Sequence, residues 1–108
     1  TNKTILEIDL KTTKTYFLEQ SPNYDPGTND LTIMFNNAKQ TPGSTIEFTV
    51  FISNGMHPKN ISYVSVNGQG ATQVRVSGIT PVAHEMNTYT IKGVCDSSNN
   101  WLLTIHVA

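Results

Sequence analysis

Cysteine is nearly absent from this chain of 108 residues, in which Cys95 is the only one. A single thiol excludes an internal disulfide and fits a protein that folds in a reducing compartment. The length is typical of one domain, 1–108, and is sufficient for a hydrophobic core without disulfides or metals. We predict that Cys95 is a small buried or half-buried thiol rather than a nucleophile, because no histidine partner is evident in the sequence pattern around it.

Charge and long apolar runs are also scarce. Charged residues make up 14% of the chain, the formal net charge is −1, and the seven Lys and Arg residues are scattered. Without a basic stripe, no nucleic-acid partner is expected. No segment approaches the roughly 20 apolar residues of a membrane-spanning helix, and the first residues lack the apolar core of a signal peptide. We therefore expect no membrane insertion.

The period of an α-helix is missing as well, and Thr, Asn and Ser together supply nearly a third of the residues. Threonine suits strands, whereas Asn and Ser suit turns. Apolar and polar residues alternate over 6–10, 31–35, 46–52 and 101–107, between turn signals such as Asn54-Gly55. This pattern predicts an all-β fold, an antiparallel β-sandwich or jelly roll of about seven to eight strands.

The alternation also assigns one face of each strand to the core. Trp101 begins the last alternating run and is predicted to anchor either the core or an interface. Twelve apolar side chains are expected to be mostly buried: Leu6, Ile8, Leu31, Ile33, Phe35, Ile46, Phe48, Val50, Ile52, Ile91, Leu103 and Ile105.

No group of residues suggests catalysis or metal binding. The oxygen-rich segment 25–30 fails the spacing of a calcium-binding EF-hand and contains a proline. Glu7 and Asp9 share one face of a strand, roughly 7 Å apart, which is read as a solvated face. The three histidines are far apart and lack metal-ligand spacing: His57, His84 and His106. We expect no catalytic residues, no metal and no cofactor.

The order of strands and turns resembles a family, the β-sandwich domains of bacteriophage virion proteins in tail fibres and head decorations. The matching features are the opening 5–10 and 15–18, the strand 31–37 followed by Pro42-Gly43-Ser44, and the closing hairpin 89–102. The segment 66–70 departs from the family, which often has Trp-x-Gly-Gly there. The resemblance implies a non-enzymatic, architectural protein of the virion, assembled in the bacterial host cytoplasm and commonly a homotrimer.

Two functions from different classes follow from the resemblance. The first is a small capsid decoration or cement subunit, held by neighbours such as the major capsid protein; the short ends, without an anchoring extension, favour it. The alternative is the receptor-binding tip of a tail fibre, which would bind a host-surface receptor or glycan. A third interpretation, a carbohydrate-binding module, requires a groove of exposed aromatic residues that the sequence does not indicate.

Assembly is also predicted by strands that carry apolar residues on both faces. One face lines the core, and the other forms a patch that needs cover from a second subunit or a virion neighbour. The residues predicted for this interface are Phe51, Val64, Leu102, Tyr63 and Tyr24.

Overall fold

The computed structural model describes residues 4–20 and 27–108, which form nine β-strands and no helix. None of these residues therefore belongs to a helix that could cross a membrane. In chain order the strands are β1 (Thr4–Asp9), β2 (Thr15–Glu19), β3 (Asp30–Asn36), β4 (Thr45–Ser53), β5 (Asn60–Val66), β6 (Gln69–Gly70), β7 (Gln73–Gly78), β8 (Met86–Cys95) and β9 (Trp101–Val107).

The strands form two sheets, which confirms the prediction of an all-β fold. The four-stranded sheet has the order β1-β3-β5-β6, and the five-stranded sheet has the order β2-β4-β8-β9-β7. From β1 to β5 the chain moves to the other sheet at every strand. In this part of the chain, the odd-numbered strands β1, β3 and β5 are neighbours in one sheet, and β2 and β4 are neighbours in the other. The chain path is therefore solenoid-like.

The prediction of antiparallel pairing is wrong for four of the seven strand pairs. The parallel pairs are β1 with β3, β3 with β5, β2 with β4, and β7 with β9. The antiparallel pairs are β4 with β8, β5 with β6, and β8 with β9. Parallel neighbours need a long crossover connection, usually a helix. Here a strand of the opposite sheet lies within each crossover up to β5, so parallel pairing arises without any helix.

One hydrophobic core joins the two sheets. All twelve side chains predicted for the core are at most 4% exposed. The rings of Phe35 on β3 and Phe48 on β4 meet edge to face, with centroids 5.7 Å apart, and so connect the sheets. Trp101 is also buried, so of its two predicted roles it has that of a core anchor. Cys95 is buried as well, which confirms the prediction for this thiol. The core further includes Val64, Val66, Tyr89 and Val107.

A buried polar network closes the end of the fold at which β4 ends and β8 begins. The Asn54 amide donates to the Asn87 side-chain oxygen at 3.0 Å and to the Glu85 carbonyl. Asn87 also accepts a hydrogen bond from the Val82 backbone and donates to the Ala108 carbonyl. These two asparagines connect the segment before β8 and the end of β9 to the core. Their hydrogen bonds take the place of the bonds to water that burial removes.

Lys59 and Tyr89 extend this network. Lys59 is buried; its Nζ donates to the Thr28 carbonyl, and its backbone N–H donates to the Asn54 side-chain oxygen. The Tyr89 hydroxyl donates to the Lys59 carbonyl. Burial raises the pKa of Tyr89 to about 12, so this hydroxyl stays a donor at neutral pH.

Candidate functional site

Phe51, one of the residues predicted for the interface, lies half-buried on the outer face of the five-stranded sheet. Its partner in β2 is Phe17, whose side chain is 58% exposed. Two residues further along the same face, Glu19 pairs with Ser53, which pairs with the exposed Met86. An apolar surface therefore continues from the outer face to the β2 edge of the sheet.

Leu102 is half-buried on the same outer face but at the opposite end of the strands. It pairs with Val94, which is exposed and itself pairs with Thr45 at the start of β4. Phe51 lies six residues further along β4, or about 20 Å at the usual rise of a strand. The structure therefore does not bring Phe51 and Leu102 into one patch.

Tyr63 is exposed on the outer face of the other sheet, whereas Val64 is buried and 2% exposed. Placing Val64 in the interface was wrong, because adjacent residues of a strand face opposite sides and Val64 takes the core side. The Tyr63 ring lies over Gly70, where an added Cβ would be 2.8 Å from the phenol oxygen. Tyr24, like residues 25 and 26 of the segment 25–30, lies outside the described residues.

The β7 edge was not anticipated. All six residues of β7 are exposed, although it pairs parallel with β9 along its whole length. Val74 and Val76 pair with the core residues Leu103 and Ile105 and therefore point to the inner side of the sheet. They are nevertheless 36% and 53% exposed. The alternation of Gln73, Val74, Arg75 and Val76 indicates a half-buried strand and gives no sign of an exposed edge.

A cleft of about 230 Å³ opens beside β7, between Ile61 of β5 and the segment that follows β7. Val76 and Ile79 line it, and both are more than half exposed. Gly78 ends β7 with a φ of +97°, and an added Cβ would meet the Val107 carbonyl oxygen at 2.0 Å. Only glycine therefore fits where β7 turns away from β9.

Another open depression, of about 490 Å³, is lined by amides and one hydroxyl: Gln40, Asn67, Gln69, Ser98, Asn99 and Asn100. Gln40 accepts hydrogen bonds from Trp101 Nε1 and Asn67 Nδ2 and donates to the Asn99 carbonyl. Asn67 also bonds both the N–H and the carbonyl of Ala38. Gln40 and Asn67 thus hold turns together, and Trp101, the aromatic residue that donates to Gln40, is buried.

The remaining polar candidates have structural surroundings. Asn37 and the Lys11 backbone donate to the Asp9 carboxylate, and these bonds lower the pKa of Asp9. His106 is exposed on β9, with Nδ1 3.3 Å from Ser77 Oγ. Within residues 4–20 and 27–108, no three His, Cys, Asp or Glu side chains come together as a metal site.

No family model matches this chain, and no similar curated protein or solved structure was found.

Proposed function

We propose that this chain is a non-enzymatic structural domain of a bacteriophage virion, a β-sandwich that assembles as a homotrimer and decorates the capsid. In this proposal its neighbours are other copies of itself and virion proteins such as the major capsid protein. The sandwich interpretation is supported by the core shared between two sheets and by the contact of Phe35 with Phe48.

One observation carries the assembly part of the proposal: exposed apolar side chains lie on the open edges of the five-stranded sheet. Phe17 is on β2, and Val74 and Val76 are on β7. Scattered exposed apolar residues are ordinary, but an exposed edge with apolar side chains is a template for another chain, and proteins usually protect it. Here the edge strands carry apolar side chains, which favours a partner.

The absence of catalysis in this proposal is supported by the surroundings of the polar groups. Cys95 is buried, Asp9 is fixed in a turn, and the amides Gln40 and Asn67 are engaged in loop hydrogen bonds. None of these groups pairs a nucleophile with a base in the way that covalent catalysis needs. Among the described residues that line the amide-lined depression there is no aromatic ring for a sugar, so it gives no specific support to the receptor-binding alternative.

Light scattering on the isolated protein tests the assembly. We expect a mass of three times 11.9 kDa and a lower mass for Val76→Thr, which keeps the side-chain shape but replaces a methyl group by a hydroxyl. Val94→Thr, at an exposed valine away from both edges, is the matched control and should leave the mass unchanged. A wild-type protein that stays monomeric at high concentration and does not bind capsids would contradict the proposal.

A further inference from the structure

We propose that copies of this chain associate head to tail, with β7 of one copy adding to β2 of the next and so extending the five-stranded sheet from one subunit into another. This inference rests on the proposed self-assembly and names the surfaces that meet. β2 and β7 are the two end strands of the same sheet. Within the described part of the chain, each pairs with one neighbour, β4 and β9 respectively.

Strand direction permits this contact. β2 is parallel to β4, β4 and β9 are each antiparallel to β8, and β7 is parallel to β9. β2 and β7 therefore run in the same direction within one sheet. A second copy placed beside the first, with its strands running in the same direction, would present its β2 edge to β7 as a parallel partner. A head-to-tail contact of this kind closes into a ring when its rotation fits the number of subunits.

The exposure of β7 is a reason to expect such a partner. Parallel strands in proteins are normally covered on their faces, whereas every residue of β7 is exposed. An open edge also presents unpaired N–H and carbonyl groups, whose complement is another extended strand. The expected binding partner of this edge is therefore an extended strand rather than a helix or a small molecule.

Side-chain pattern selects β2 of a second copy as that strand. With Val76 opposite the neighbour's Leu18, all five residues of β2 overlap 73–77, and Val74 lies opposite Tyr16. Val74 and Val76 face the inner side of their sheet, as do Tyr16 and Leu18, which pack against the core. The inner row of such a joint would be apolar throughout, so the two exposed valines would gain cover.

The outer row of the same register is complementary in charge. Arg75 is the only charged residue of β7, and Glu19 is the only charged residue of β2. In this register Arg75 would lie opposite Phe17 of the neighbour, with Glu19 two residues further on the same face. An arginine can stack on an aromatic ring and reach a carboxylate at that separation. Pairing β7 with β7 of another copy would offer Arg75 no such partners.

Charge reversal at these two positions tests the contact. Arg75→Glu and Glu19→Arg, each made alone, should raise the dissociation constant of the assembly at least about tenfold, since each places like charges together. The double variant Arg75→Glu/Glu19→Arg restores an opposite pair and should recover assembly. Glu7→Arg, at an exposed position on the other sheet, is the control and should behave as wild type. Circular dichroism and the melting temperature of each variant check that it has folded.

The outcomes separate this inference from the proposed function. If wild type and both single variants are equally trimeric, the trimer stands and the β2–β7 contact is wrong. If Arg75→Glu dissociates the protein while Glu19→Arg does not, β7 meets some other surface, and the inference is also wrong. A monomeric wild type would overturn both proposals. Loss of assembly in each single variant with recovery in the double variant supports the contact.

Discussion

Phe48→Ala is expected to lower the free energy of unfolding by about 3–5 kcal/mol, the usual loss when a buried aromatic site is emptied. Phe48 is 4% exposed and meets Phe35 of the opposite sheet edge to face. Its removal therefore opens a cavity between the sheets and also removes an aromatic pair that connects them. Chemical denaturation, followed by circular dichroism, measures the effect.

A smaller substitution at the same position separates volume from ring contact. Phe48→Leu keeps most of the apolar volume and should cost less than Phe48→Ala, with the remaining loss reflecting the missing ring. If Phe48→Ala costs under about 1 kcal/mol, the site does not have the aromatic packing that the structure gives it.

Asn54→Ala is expected to lower the free energy of unfolding by about 1–3 kcal/mol, although it removes no large apolar group. The substitution deprives the buried Lys59 N–H of its acceptor and the Asn87 oxygen of one donor. Buried groups left without a partner keep their full desolvation cost, and this makes the loss larger than that of an exposed hydrogen bond.

A double-mutant cycle with Asn87→Ala isolates the bond between the two amides. Because the Asn54 amide donates to the Asn87 oxygen, the double variant should lose less stability than the two single losses combined. Asn60→Ala, at an exposed asparagine that begins β5, is the control and should change stability by no more than about 0.5 kcal/mol. Strictly additive losses at Asn54 and Asn87 would show that the two amides do not act together.

The core could be predicted from the sequence because alternation reports directly which face of a strand is buried. That is why Ile46, Phe48, Val50 and Ile52 were assigned correctly. Alternation says nothing about the direction of the neighbouring strand, however. Turns such as Asn54-Gly55 suggested hairpins, yet β4 continues to a strand in the opposite sheet, and the parallel pairing was missed.

The outer surfaces were harder to predict, because two adjacent apolar residues do not show which of them faces the core. Tyr63 and Val64 could each have faced the core, and a register shift between β3 and β5 lies beside them. Val64 takes the core side, and the larger Tyr63 lies outside over Gly70. Lys59 was missed for a related reason: a buried lysine depends on carbonyl groups such as that of Thr28, which are distant in sequence.

The exposure of the edge strand β7 could not be predicted from the sequence, because Val74 and Val76 alternate with polar residues as in a half-buried strand. Their exposure depends on the whole fold, in which β7 is an end strand of the five-stranded sheet. The strand order places Phe17 and β7 at opposite ends of one sheet, and these two edges are the surfaces of the proposed contact between subunits.

Amide hydrogen exchange at low and high protein concentration tests the contact between β2 and β7. We expect amides of β2 and β7 to exchange more slowly as concentration rises, because the neighbouring copy covers both edges and its carbonyls accept hydrogen bonds from outward-facing amides. Amides of β8, which lies between β4 and β9, should be slow at both concentrations. Edges that exchange equally fast at every concentration, while the protein is assembled, would contradict it.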